Sequence, residues 1–415
     1  MILRQTVIIR SKTLIYWSFS ATLLEELLRT IIIGMGYQVP GVVSLIDTTI
    51  YLLAYLGIGL VEIRKNEHRS LFLSIVISLM MSLLFFAFSK INPEISIFRN
   101  QFIAFILRLP LFIYLGCELF KVEDFFALFP VMTHIAVIYA FLNILWVSQE
   151  DYYMLLSYYI LPWAGISYLL WSERKKSIYL FEAIFLCLVL LAFGARMPFL
   201  CVLFLISIDY FLIRKGRNAK VVILFLFVLI CFVLISVFRN EINALISKAF
   251  PNSKTINKFL SGDLFEASQR TRIYKSLIHE ISEKPLEIRG FYSERIFLGN
   301  KYVDTNELGI WITEENQYSV YAHNILIEMI FDFGLILGCV MLMWLLVHII
   351  RGFRCAKRIR DSYYLRIMLY FFSIGFLPLM VSNSYLSYMS FWMFVGMLLQ
   401  KQSSIYRIAG IDFQL

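Results

Sequence analysis

The chain has 415 residues, 60% of them hydrophobic and only 16% charged, with a net charge of +9 and a mean hydropathy of +0.74. Soluble domains carry about 25% charged and 45–50% apolar residues, so a soluble globular enzyme and a disordered chain are both excluded. Apolar runs of the roughly 20 residues needed to cross a hydrocarbon core of about 30 Å fill most of the length, which predicts an all-α, polytopic membrane protein.

In chain order the runs predict twelve helices, near 13–34, 42–61, 71–89, 100–116, 125–146, 153–171, 178–194, 197–213, 219–238, 324–350, 363–382 and 385–400. The first has a basic flank and reads as a retained signal anchor. Glu25, Glu26 and Arg29 interrupt it, and they either line a wet cavity or pair with each other at helical spacing. The 38 Phe and 24 Tyr suit lipid-facing helices with interfacial aromatic belts. Further charges within the runs are scattered: Asp47 and Arg108, which could pair, and Asp209, close to a basic cluster.

Alternate connections differ sharply in Lys and Arg. One set holds the clusters 174–176, 214–220 and 351–360, with Arg64, Lys65, Arg69 and Lys121, and both termini share that side. The short loops of the other set hold only Lys90, Arg99 and Arg196. This is a positive-inside signature, so the basic charge reports topology and both termini are expected in the cytoplasm. No nucleic acid is implied. The six cysteines fall in helices or beside the basic face with no CxxC pair, against a disulfide framework or zinc site.

The expected organisation is therefore helices one to nine in 1–238, an external loop over 239–322, helices ten to twelve in 323–400 and a cytoplasmic tail over 401–415. The loop balances its basic and acidic residues, as a water-facing subdomain would, and loops longer than about 12–15 residues are usually functional or disordered. Trp311, Tyr318, Tyr321 and an amphipathic stretch from Arg270 to Ile281 argue for folded helices there.

Three external stretches could carry chemistry. Gly194-Ala195-Arg196-Met197-Pro198 is a tight turn whose arginine opposes the charge bias of its side, unless it only snorkels to the interface. Ser268 to Tyr274 carries Arg270 and Arg272, followed by Pro285 and Gly290. At i,i+2 the two arginines point in different directions, and a solvated helix face is the alternative. Tyr321-Ala322-His323-Asn324 leads into the tenth helix. His323 there could exchange a proton near neutral pH, or simply sit at the interface.

Taken together, these stretches and the topology resemble the O-antigen ligase and polysaccharide polymerase superfamily of bacterial envelope glycosyltransferases, whose fold is GT-C-like. That family's loop shows an Arg, an aromatic four residues later, a Pro and then a Gly, matched by Arg270, Tyr274, Pro285 and Gly290. Its closing His-Asn pair, acidic or amide residue and Gly are matched by His323, Asn324, Glu328 and Gly334, and its upstream arginine by Arg196. Departures are Ala195 and Met197 around Arg196, the reduced Arg289-Gly290-Phe291, and Gly338 one position late.

The resemblance implies a transferase in the bacterial inner membrane with its active site toward the periplasm, using an undecaprenyl-diphosphate-linked oligosaccharide as donor and a glycan as acceptor. Arg196, Arg270 and Arg272 would bind the diphosphate. His323 would be the base, with Tyr274 and Asn324 in support. Clamping by arginine, with no DxD-like acidic pair in the loop, predicts a metal-independent enzyme without cofactor. A chain-length regulator and a flippase in the same membrane are candidate partners. Polymerisation of repeat units is the favoured reaction, with ligation of the finished glycan to lipid A–core as its alternative. A transporter or flippase is the second alternative, which would be expected to show internal repeats and midplane polar sites.

Overall fold

The computed structural model describes residues 2–35, 40–63, 68–119, 122, 124–146, 149–192, 196–213, 269–305, 312–314, 316–358 and 362–400. The predicted helix 219–238, the loop residues 239–268, Trp311, the side chains of Asp47 and Arg196, and the tail 401–415 lie outside the described residues. Among the described residues the fold is all-helical.

Helices α1 (Ile2–Gly34), α2 (Pro40–Glu62), α3 (Arg69–Ile91), α4 (Arg99–Glu118), α5 (Pro130–Trp146), α6 (Gln149–Arg174), α7 (Ser177–Ala192) and α8 (Arg196–Ile208) occupy the expected positions. Two amphipathic helices follow, α9 (Gln269–Glu283) and α10 (Ser293–Tyr302), and then α11 (Ile325–Arg358), α12 (Ser362–Phe371) and α13 (Met389–Leu398). Among the described residues four stretches are long and apolar enough to cross a membrane: Arg69–Ile91, Pro93–Glu118, Ile325–Arg358 and Ser362–Met380. Shorter apolar helices accompany them, and the chain is a multi-pass membrane protein. Helix α3 exposes Leu79, Met80, Leu83 and Phe86 on its outer face, as lipid contact requires.

The last two predicted helices differ from expectation. After α12 the chain tightens through a π turn at Phe372–Phe376 and a 3-10 turn at Leu377–Met380, and α13 begins only at Met389. Pro378 has no N–H to continue a helix, and residues 380–385 are engaged by other elements. At 1.5 Å per residue, the ten residues of α13 rise about 15 Å, half of a hydrocarbon core.

The described contacts between connections fall at two opposite ends of the bundle. At one end Arg366 on α12 donates from Nε to Asp209 at 2.7 Å, with Glu173 3.8 Å from the same guanidinium. There Tyr363 also donates to the carbonyl of Val122 at 2.8 Å. At the other end Phe98, from the turn Pro93–Phe98, stacks on Tyr292 at 4.6 Å, and Phe88 meets Phe291 edge-on at 5.8 Å. The expected pairing of Arg108 with Asp47, and the basic cluster near Asp209, involve side chains outside those described, but other partners are seen. Asp209 is held by Arg366, which sequence reasoning passed over, and Arg108 lies over the ring of Tyr51 at 4.9 Å. Within α1, Arg29 and Glu26 do pair, at 3.7 Å.

Helices α9 and α10 form a small cap with its own core, built on Ile273, Leu277, Leu298, Tyr302 and Phe331. Ile273 and Leu277 of α9 face inward while Arg272, Lys275 and His279 are exposed, the pattern that packs an amphipathic helix onto a surface.

Candidate active site

The cap is fixed to α11 by a short backbone seam. The amides of Arg289 and Gly290 both donate to the carbonyl of Asp332, at 2.9 and 2.8 Å, and the amide of Leu335 donates to Pro285 O at 2.7 Å. These bonds are possible because α11 is broken at Gly334, whose φ of 73° and ψ of 165° lie outside helical geometry. A β-carbon there would come 3.0 Å from the carbonyl oxygen of Glu287. Gly290, with φ +93°, is pressed equally hard, its missing β-carbon 2.7 Å from Phe88 Cβ. The motif glycines are therefore needed where two backbones meet. Arg289 braces the seam, with its guanidinium 2.8 Å from Glu287 and over the ring of Phe331 at 4.6 Å.

Above the seam α9 and the 321–324 segment come together. Arg270 and Tyr274, one turn apart, are half-buried, and the Tyr274 hydroxyl donates to the carbonyl of His323 at 3.5 Å. Asn324 caps α11, its Oδ1 accepting from the amide of Leu326 at 2.9 Å, while its Nδ2 donates to Met380 O at 2.9 Å. Its neighbour His323 is left in the left-handed region, at φ 54°.

His323 and Tyr321 share one anchor. The Tyr321 hydroxyl donates to Ser382 O at 2.7 Å, and His323 Nδ1 lies 3.3 Å from the same oxygen. The rings of Tyr321 and His323 are 3.8 Å apart. Arg295 covers the Tyr321 ring at 5.0 Å and also lies over Tyr292 at 5.4 Å. Burial, the Arg270 guanidinium and then Arg295 drive the His323 imidazole down to about 4, against the lift from its bond to Ser382. At neutral pH the ring is uncharged.

Behind Arg295 lies a buried acidic group. Glu294, Glu328 and Asp332 are all fully buried. Asp332 accepts from Ser293 at 2.8 Å and from the Tyr385 hydroxyl at 3.0 Å, and Glu328 accepts from the Ser384 hydroxyl. These bonds lash the 382–385 turn, and with it the anchor carbonyl of Ser382, to α10 and α11. Burial pushes the Glu294 carboxyl above its usual range, which Arg295 beside it only partly offsets.

Of the sequence-predicted site residues, Arg270, Tyr274, His323 and Asn324 come together. Arg272 does not join them, being exposed on the outer face of α9. Arg196 opens α8. Cys201, farther along α8, is within electrostatic reach of Tyr158, a residue that also feels Arg270 and Tyr321. Sequence reasoning missed Arg295 and the Ser382 carbonyl. Arg295 was one charge among the many of a balanced loop, and a backbone oxygen carries no residue signal.

Arranged in this way, the site offers one neutral imidazole with a committed Nδ1 and two guanidinium groups within electrostatic reach of it. It suits proton removal beside a bound anion.

Residues 181–343 match the family model described as O-Antigen ligase. The match takes in Arg196, Arg270, Tyr274, His323 and Asn324, and over this stretch the chain matches the O-antigen ligase and polymerase superfamily. It supports an activity of that general type, that of glycosyltransferase-like enzymes. No curated protein matches the chain, nor does any solved structure.

Proposed function

We propose that this chain, with its match to the O-antigen ligase family, is a polymerase that joins lipid-linked oligosaccharide repeat units of a surface polysaccharide. The reaction would take place on the outer face of a bacterial inner membrane. Twelve spans, cytoplasmic termini and an external 239–322 loop belong to this reading. The observation that carries it is the state of His323: uncharged, fixed through Nδ1, and within the fields of Arg270 and Arg295.

The donor sugar is bonded through its anomeric carbon to a polyprenyl diphosphate. The acceptor hydroxyl attacks that carbon and gives its proton to Nε2 of His323, while the carbon–oxygen bond breaks and its electrons leave on the diphosphate. General base catalysis of this kind contributes about 10²–10⁴-fold. Arg270 and Arg295, joined by Arg196 on the strength of its motif, neutralise the departing charge. Preorganised donors of this sort contribute roughly 3–4 kcal/mol each. Guanidinium groups serve here in place of a divalent cation, so the reaction needs no metal.

Ligation of a finished glycan to lipid A–core is the second reading, and the description of the matching family favours it. The glycan ladder of cells lacking the protein separates the two. Short chains of one repeat unit on the acceptor mean polymerase. Complete loss of attached glycan, with lipid-linked polymer accumulating, means ligase. An unchanged ladder rejects both.

A further inference from the structure

At the end of the bundle opposite His323, α3, α11, α12 and α13 line a cavity of about 450 Å³. Its outer wall carries Arg69, His348 and Arg351, and its inner wall the apolar side chains Leu73, Met368 and Leu398. The two arginines are exposed, whereas Met368 and Leu398 are buried, so charge lies at the mouth and hydrocarbon at the floor. Among the described residues no carboxylate lines it, and neither arginine has an acidic group within ion-pair distance.

The wall formed by α11 is graded. Trp344, His348 and Arg351 follow one another at i, i+4 and i+7, hence on one face. They span about 10 Å along the axis at 1.5 Å per residue. The Trp344 and His348 rings lie 4.3 Å apart, tilted by 34°, and His348 donates from Nδ1 to the Trp344 carbonyl at 2.9 Å, which leaves Nε2 as the open nitrogen. From hydrocarbon depth toward water the order is apolar, aromatic, imidazole, guanidinium. That is the order of acyl chain, interfacial region and phosphate in a phospholipid, and basic pockets between helices on the cytoplasmic side bind anionic head groups.

We propose that this cavity is a binding site for an anionic phospholipid, with its phosphate between Arg69 and Arg351 and its upper acyl segment against Leu73, Met368 and Leu398. A free phosphate would use the same two arginines but has no use for the apolar floor or the tryptophan. The site is remote from His323 and stands whether or not the transferase reading does.

The test uses the full-length chain in detergent, titrated with phosphatidylglycerol or phosphatidylcholine carrying brominated acyl chains. The readout is the quenching of fluorescence that is lost in Trp344→Phe. Phosphatidylglycerol should half-quench this component at a roughly tenfold lower mole fraction than phosphatidylcholine. Arg69→Gln combined with Arg351→Gln should erase that preference, and Arg351→Gln alone, a change at an exposed position, should reduce it roughly threefold. Equal quenching by the two lipids overturns the proposal, as does a preference that survives in the double variant. Relief of phosphatidylglycerol quenching by millimolar inorganic phosphate reassigns the site to the free anion.

Discussion

His323 gives its Nδ1 hydrogen to the carbonyl oxygen of Ser382 at 3.3 Å. A carbonyl can only accept, so this bond selects the tautomer and leaves the lone pair on Nε2. With the imidazole pushed from 6.5 down to about 4, the base stays unprotonated across the physiological range. The acid limb of the pH–rate profile should therefore fall near pH 4, not near 6.5, and a limb at 6.5 would count against the site as described. The same shift bears on stability. The unfolded chain takes up the proton below about pH 6.5 and the folded chain only near 4. The folded state should thus lose stability as pH drops between those values. His323→Ala should remove that dependence and most turnover while still binding lipid-linked donor.

The cations around His323 make separable contributions. Arg270→Lys keeps the charge but not the planar fork, and should lower turnover by more than tenfold, or about 1.4 kcal/mol. Arg196→Lys should behave likewise if its motif role holds. Arg295→Gln should do more than slow the reaction. With one of the charges that depress His323 removed, the acid limb should move upward in pH, a displacement that loss of structure alone would not produce. Arg272→Ala, on the exposed face of α9, should stay within a few-fold of the parent.

Much of this architecture could be read in advance because long apolar runs leave few choices other than a spanning helix. The cap helix α9 was legible from its amphipathic period, and Arg270 and His323 from a motif. The rest depends on contacts that residue type does not encode. Arg295 matters because the fold sets it over Tyr321, a residue 26 positions later. The anchor of His323 is a backbone oxygen in the turn after a 3-10 segment. Gly334 reads as a helix glycine, and only the backbone shows it standing at a break with φ 73°.

That break yields a stability prediction. Gly334→Ala must hold a β-carbon at φ 73° and ψ 165°, a region essentially confined to glycine and costing about 1–3 kcal/mol, and must also push against the carbonyl of Glu287 3.0 Å away. The thermal midpoint in detergent should fall by several degrees. Gly290→Ala, facing Phe88 at 2.7 Å, should fall at least as far. Gly59→Ala is the contrast, since nothing lies within 4 Å of its added carbon. It should be neutral or stabilising by up to about 1 kcal/mol, as alanine is in a helix.

The last prediction concerns which end of the bundle faces outward. The start of α7 follows Arg174, Lys175 and Lys176, and the short loops at the opposite end, near the His323 site, are poor in basic residues. Positive loops are retained in the cytoplasm, so the cap should lie outside. Ser282 on α9 and Ser177 at the start of α7 are both exposed and report on the two ends. In a background without the six native cysteines, Ser282→Cys should react with an impermeant thiol reagent once the outer barrier alone is opened. Ser177→Cys should react only after the inner membrane is breached. The reverse pattern would put His323 on the side where nucleotide sugars are available, and a lipid-linked donor would lose its rationale. Labelling of both from outside would mean that α7 does not begin at the inner face, and the alternation of the helices before it would have to shift by one crossing.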